Sequence, residues 1–305
     1  MADFDLWSAD IPWGPTEPAG FAAGSGEGRT ADQRFPLEPA LPDCVLLAED
    51  NVVSQRVGSA MIENFGLRVD VVGDGLAAVR AATRTRYAAI LMDCQIPVLD
   101  GYAACRQIRL FEEGLSRTPI IAVTASPNLV RVRCLAAGMD GYVAKPLSLH
   151  ALTAALSRFL PPLRAVADGP AEDASELSCT LDCRAELSEA VFDRVVVGRL
   201  ERLGAAAGED LIGQLSALFL ADAGQKMTAI RQSVMAGATD AVAETTHSLS
   251  GASANLGATG LVGVCEALGT DYAASSLTDS LELVAAIERE LERVCAALHP
   301  GSPIS

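Results

Sequence analysis

Lysine is nearly absent from this 305-residue chain: only Lys145 and Lys226 stand among its 23 basic residues, the rest being arginine. Basic charge as a whole is short, with 39 acidic residues and a net charge of −16. Nucleic-acid binding depends on neutralising phosphates with Lys and Arg, so this balance argues against it. An anionic membrane surface is disfavoured for the same reason. No apolar run approaches the roughly twenty residues that cross a bilayer. The start, Met1-Ala2-Asp3-Phe4-Asp5, lacks the basic and apolar segments of a signal peptide. A soluble, cytoplasmic protein without membrane insertion is expected.

Closely spaced cysteine pairs are missing too. None of the 8 cysteines has a partner at the two-residue spacing of a zinc or redox motif. Cys179 and Cys183 lie four apart, with no second pair to complete a metal site. Reduced thiols acting as small hydrophobes are the expected state. Proline is absent from 171–299, where a long helical region can therefore form. No internal repeat is present.

What the chain does have is alternation. Residues 1–42 are rich in Gly, Pro and acids without sustained period, and read as a disordered tail. Over 43–160, short apolar runs at Val45–Ala48, Arg68–Val72, Ala88–Met92, Ile120–Val123 and Tyr142–Ala144 alternate with helix-length segments. Such nearly continuous runs suit strands covered on both faces. Five strand–helix units predict an α/β doubly wound five-stranded parallel sheet. Gly66 and Gly138 stand where two of its helices should end. Residues 161–185 read as a linker, 186–299 as an all-α antiparallel four-helix bundle, and 300–305 as a tail.

Polar residues follow four of the strands directly: Glu49-Asp50, Asp93, Thr124 and Lys145-Pro146. In a parallel sheet they all fall at the carboxyl edge, where ligands bind. Carboxylates roughly 5 Å apart repel by about 3 kcal/mol per pair at an effective dielectric near 20. Glu49, Asp50 and Asp93 therefore need a counter-charge. A few oxygen ligands at an open site suit Mg²⁺, and Lys145 adds a compact positive charge. A metal, a lysine and a hydroxyl around one carboxylate make a phosphoryl acceptor site.

These strings resemble the receiver domain of two-component response regulators, a flavodoxin-like fold, over 43–160. The likeness rests on Glu49-Asp50, Met92-Asp93 through Pro97-Val98-Leu99-Asp100-Gly101-Tyr102, Val123-Thr124-Ala125 and Asp140-Gly141-Tyr142-Val143-Ala144-Lys145-Pro146. It implies that Asp93 is phosphorylated and that Glu49, Asp50 and Asp93 hold Mg²⁺ with the Gln95 backbone carbonyl. It further implies that Thr124 and Lys145 bind the phosphoryl group and that Tyr142 switches with it.

Of the three histidines, His299 stands beside Pro300 at the chain end and His150 begins a receiver helix. His247 is different. On its helix, positions 247, 250, 251 and 254 share a face that reads His, Ser, Gly, Ala. A glycine inside a helix costs about 1 kcal/mol against Ala, which invites a docking reason. A bare surface around an exposed imidazole would let another protein approach its nucleophilic nitrogen. The stretch resembles the histidine phosphotransfer (HPt) domain, with His247 as the phosphotransfer histidine. Ser250 departs from the pattern, since that family usually has lysine there.

The two resemblances imply a phosphorelay signal-transduction intermediate in a bacterial two-component system. Its partners are a sensor histidine kinase upstream and a response regulator receiver domain downstream. An alternative is a phosphorylation-switched binding module or phosphate sink with weak HPt transfer, which Ser250 would favour. No kinase activity of its own is expected, because neither a phosphate loop nor an ATP-binding stretch is recognisable. The linker of about 25 residues, if flexible, spans about 25–30 Å, enough to permit transfer within one chain.

Overall fold

The computed structural model describes residues 41–113, 116–125, 127–161, 163, 191–272 and 276–298. The tail over 1–40, nearly all of the linker, Cys179, Cys183 and His299 lie outside them. The first half contains β1 (Leu41–Ala48), α1 (Val52–Asn64), β2 (Arg68–Val72), α2 (Gly75–Arg84) and β3 (Tyr87–Asp93). It continues with α3 (Gly101–Phe111), β4 (Ile120–Thr124), α4 (Pro127–Ala137), β5 (Gly141–Ala144) and α5 (Leu149–Leu156). All pairings are parallel, in the order β2-β1-β3-β4-β5. The reversal of order between β1 and β3 opens a crevice at their carboxyl ends.

Side-chain alternation along the strands builds the two faces. Leu46, Ile90, Met92, Ile120 and Ala122 pack on one face, with Ala78 of α2, Ile108 of α3 and Cys134 of α4. Val45, Leu47, Ala89, Leu91, Ile121 and Val123 pack on the other, with Val53 and Val57 of α1 and Leu152 of α5. Glycines do end the predicted helices, since Gly66 and Gly138 take φ of 78° and 87°. Cys44, Cys94, Cys105, Cys134 and Cys265 are buried free thiols.

Among the strands, the start of β1 moves furthest from its predicted place. β1 begins at Leu41 rather than Val45, because Leu41 pairs with Tyr87 and its N–H bonds the Arg86 carbonyl at 2.8 Å. The pairing then shifts register before Val45, so the strand starts inside what reads as tail.

The second half contains α6 (Arg194–Ala207), α7 (Leu211–Ala236), α8 (Thr239–Leu256), α9 (Thr259–Asp271) and α10 (Leu277–Leu298). Helices α7 to α10 pack in a closed ring of four, and α6 lies across α7 and α8. α10 starts at Leu277. There Ser276 Oγ accepts from the Asp279 N–H and Asp279 Oδ2 accepts from the Ser276 N–H, a reciprocal cap.

The two halves are in contact. α1 packs against α6, α7 and α8, and the apolar cluster on its side of the sheet continues without a break into the bundle core around Phe219, Leu249 and Ile287.

Candidate phosphoryl-transfer site

The crevice edge gathers the predicted residues. β1 delivers Glu49, β3 ends at Asp93, β4 at Thr124, and Lys145 follows β5. The register explains why they converge: Ala48 pairs with Met92, Asp93 with Val123 and Thr124 with Ala144. The Lys145 N–H then donates to the Thr124 carbonyl at 2.7 Å, which holds the turn bearing the lysine.

Lys145 Nζ lies 2.8 Å from Glu49 Oε2 and 2.7 Å from Asp93 Oδ2. It is the counter-charge for two carboxylates that are only 3% and 1% exposed. Burial penalises the ammonium, but Glu49 and Asp93 outweigh that and hold its pKa above the ordinary value. Burial pushes the Glu49 carboxyl upward; Lys145 opposes this and Asp93 adds to it. One lysine therefore balances the cluster only in part. One carboxylate oxygen from each of Glu49, Asp50 and Asp93 lies within 4.8 Å of the others. Such an all-oxygen set suits a hard divalent cation that retains waters.

The loop after Asp93 closes over the site. The Gln95 N–H donates to Asp93 Oδ1 at 2.9 Å. Gly101 is needed for that closure, because a Cβ there would sit 2.1 Å from the Asp93 carbonyl oxygen. Gly75 likewise lets the loop lie on α2, where a Cβ would meet the Leu99 carbonyl oxygen at 1.8 Å. Val98 takes φ of 68°, an unusual conformation for a β-branched residue, within the same loop. Thr124 is buried at the strand end and Tyr142 is half-buried on β5.

Helix α8 brings His247 to this edge. The imidazole is half-buried rather than exposed. Burial lowers its pKa and Lys145 lowers it further, while Asp93, Asp50 and Glu266 pull the other way. The balance favours the neutral, nucleophilic ring. Ser250 is buried. The hydrogen bonds of the helix to α1 come from Ser248 and Asn255 instead of the predicted small face. Asn51, Ser54 and Arg56 on α1, which receive the bundle, carry no sequence signal beyond the N-cap role of Asn51. That residue accepts from the Val53 and Ser54 N–H groups at 3.0 Å each.

Family comparisons agree with this layout. Residues 45–157 match the response regulator receiver domain, and residues 214–297 match the Hpt domain. Residues 45–157 therefore form a receiver domain, and residues 214–297 form an Hpt domain behind it. The receiver segment is 41% identical over 123 residues to the peroxide stress-activated histidine kinase mak1 of Schizosaccharomyces pombe, covering 38% of this chain and 7% of that protein. It is 36% identical over 149 residues to a probable histidine kinase 1 of Oryza sativa, covering 39% of this chain and 15% of that protein. The chain thus spans a small part of these curated relatives. Among solved structures, the Pseudomonas aeruginosa PA1611 receiver domain, with magnesium in its active-site cleft, is 52% identical. The match covers 38% of this chain and 96% of that one at a TM-score of 0.36. The complex of Saccharomyces cerevisiae Ypd1 with the Ssk1 receiver domain is 30% identical, covering 38% of this chain and 87% of that one at a TM-score of 0.37. These relatives come from fungi, plants and bacteria, so they assign no bacterial origin. Among the described residues, no helix is long and apolar enough to cross a membrane.

Proposed function

We propose that this chain is a phosphorelay intermediate in which the receiver accepts a phosphoryl group and the Hpt domain exchanges it. The observation that carries the reading is the placement of Asp93, the only centre where a buried carboxylate, Lys145 and two further acidic ligands meet among the described residues. A carboxylate oxygen of Asp93 attacks the phosphorus of a phosphohistidine donor, forming a P–O bond as the donor's P–N bond breaks. Lys145 leaves its ion pairs to hold an equatorial phosphoryl oxygen, and the Thr124 hydroxyl donates to another. Glu49, Asp50, Asp93 and the Gln95 carbonyl would hold Mg²⁺. When bound, the ion neutralises charge that develops on the phosphoryl oxygens. Tyr142, on the strand beside Thr124, reports the change.

His247 is the second carrier and exchanges the group with receiver aspartates. A sensor histidine kinase upstream and a response regulator downstream, in cytoplasm, complete the scheme. The alternative, a binding module with weak transfer, draws on Ser250, which puts no cation beside His247 from its own helix.

The test is transfer from a labelled histidine kinase in Mg²⁺. The parent takes label at Asp93 and then as alkali-stable phosphohistidine. Asp93→Ala takes none, and His247→Gln is labelled at Asp93 only. Label reaching a second receiver equally well from His247→Gln would sink the relay reading.

A further inference from the structure

The Hpt domain is seated on the receiver of the same chain, and the contact is specific. Asn51 Nδ2 donates to the Ser248 carbonyl at 2.9 Å and to Ser248 Oγ at 3.3 Å. Asn255 Nδ2 donates to Ser54 Oγ at 2.9 Å. Arg56 Nε donates to Gln214 Oε1 at 2.8 Å, and the same guanidinium pairs with Glu209. Asn51, Ser54 and Asn255 are all buried in the contact, so each polar group needs the partner it finds there. Between these bonds runs the apolar cluster shared by α1 and the bundle.

The seating also aims the histidine. Ser248 Oγ lies 3.5 Å from Asp50 Oδ2, so α8 crosses the mouth of the acidic site. His247 precedes Ser248 and is close enough to feel the charges of Lys145, Asp93 and Asp50.

We propose that the two domains of one chain form a self-docked transfer complex, latched by Arg56 and Asn255, in which Asp93 and His247 exchange the phosphoryl group in cis. The same docking covers His247 against outside receivers. This rests on the relay reading and adds where its internal step occurs. In that step a neutral imidazole nitrogen forms the N–P bond while the P–O bond to Asp93 breaks. The Asp93 carboxylate leaves with the bonding pair, and the proton on the other ring nitrogen passes to water. Lys145, already between Glu49 and Asp93, faces the group throughout and stands in for the cation that position 250 lacks. Docking on the same chain removes the encounter step, so the rate is set by an effective rather than a bulk concentration. Release to an outside receiver requires the bundle to lift from α1.

The test uses the full chain charged with acetyl phosphate and Mg²⁺. Alkali-stable label on the parent should appear at a rate unchanged by roughly hundredfold dilution. A mixture of Asp93→Ala and His247→Gln chains should transfer more slowly, in proportion to concentration. Arg56→Glu, which sets two carboxylates against each other, should lower cis transfer roughly threefold to tenfold while Asp93 labelling stays unchanged. It should also raise transfer from His247 to an added receiver. Asn255→Asp is the second variant, and amide exchange over 52–64 and 246–256 gives a readout independent of phosphate. That exchange should be slower in the parent than in either variant. A parent rate that falls with dilution, or equal exchange in parent and variants, overturns the cis complex and leaves the relay standing. If His247 takes no label in any mixture, the relay reading itself fails.

Discussion

The receiver edge and the face of α8 are built by opposite physical means. At the edge, two buried carboxylates and a lysine are pulled from water and held in place by strand register, with the half-buried Asp50 beside them. On α8, one imidazole stands among small side chains, and its surroundings are supplied by another domain. A site built from buried charge must be preorganised, because each ion loses hydration that only its partners replace. A site built from one neutral nucleophile can be left plain and completed by docking. The receiver therefore carries its constraint in its own fold, while the Hpt domain borrows one.

The largest effect that would test this contrast is on stability. Lys145→Ala should cost the receiver about 3–5 kcal/mol in urea unfolding without metal, since it strands Glu49 and Asp93. His247→Gln should change bundle stability by no more than about 0.5 kcal/mol. Near-equal costs would break the comparison.

The glycines give the next test. Gly101→Ala forces a Cβ to 2.1 Å from the Asp93 carbonyl oxygen, so it should destabilise the receiver by about 2 kcal/mol or more and slow Asp93 labelling. Gly251→Ala places its Cβ 4.0 Å from Ser54 Oγ, an ordinary contact. It should be neutral or stabilise α8 by up to about 1 kcal/mol in thermal unfolding.

A smaller change is expected in ligand affinity. Asp50→Asn removes one charged oxygen from the cluster and should weaken Mg²⁺ binding at least about tenfold by calorimetry. Ser248→Ala lies at the bottom of the scale. Its hydroxyl contacts are long, 3.3 Å to Asn51 and 3.5 Å to Asp50, while its backbone carbonyl keeps the shorter bond. Docking, read by amide exchange over 52–64, should weaken by no more than about 0.5 kcal/mol.

Much of the acceptor site was readable from the chain because strand-end residues inherit their position from a local pattern. An apolar run followed by Glu49 or Asp93 places that residue at the sheet edge whatever else the protein does. The scarcity of lysine singled out Lys145, and the structure puts it between two carboxylates. The start of β1 at Leu41 was hidden, because Pro42 and Asp43 interrupt the apolar run. The small face of α8 does turn toward α1, since a Cβ on Gly251 would meet Ser54 Oγ at 4.0 Å, and Ser248 and Asn255 on either side of it make the hydrogen bonds. Helical period defines faces, and the neighbour decides which one is used.

By itself, the amino-acid sequence determined the parallel sheet, the helical bundle and the set of carboxylates at the sheet edge, because each depends on residues near one another along the chain. Only the tertiary structure decided that α1 and α8 meet, through pairs such as Ser54 and Asn255 that stand 201 residues apart. No local period encodes such a pair. It exists because buried amides and hydroxyls must find partners, and in this fold they find them across the boundary between the two domains.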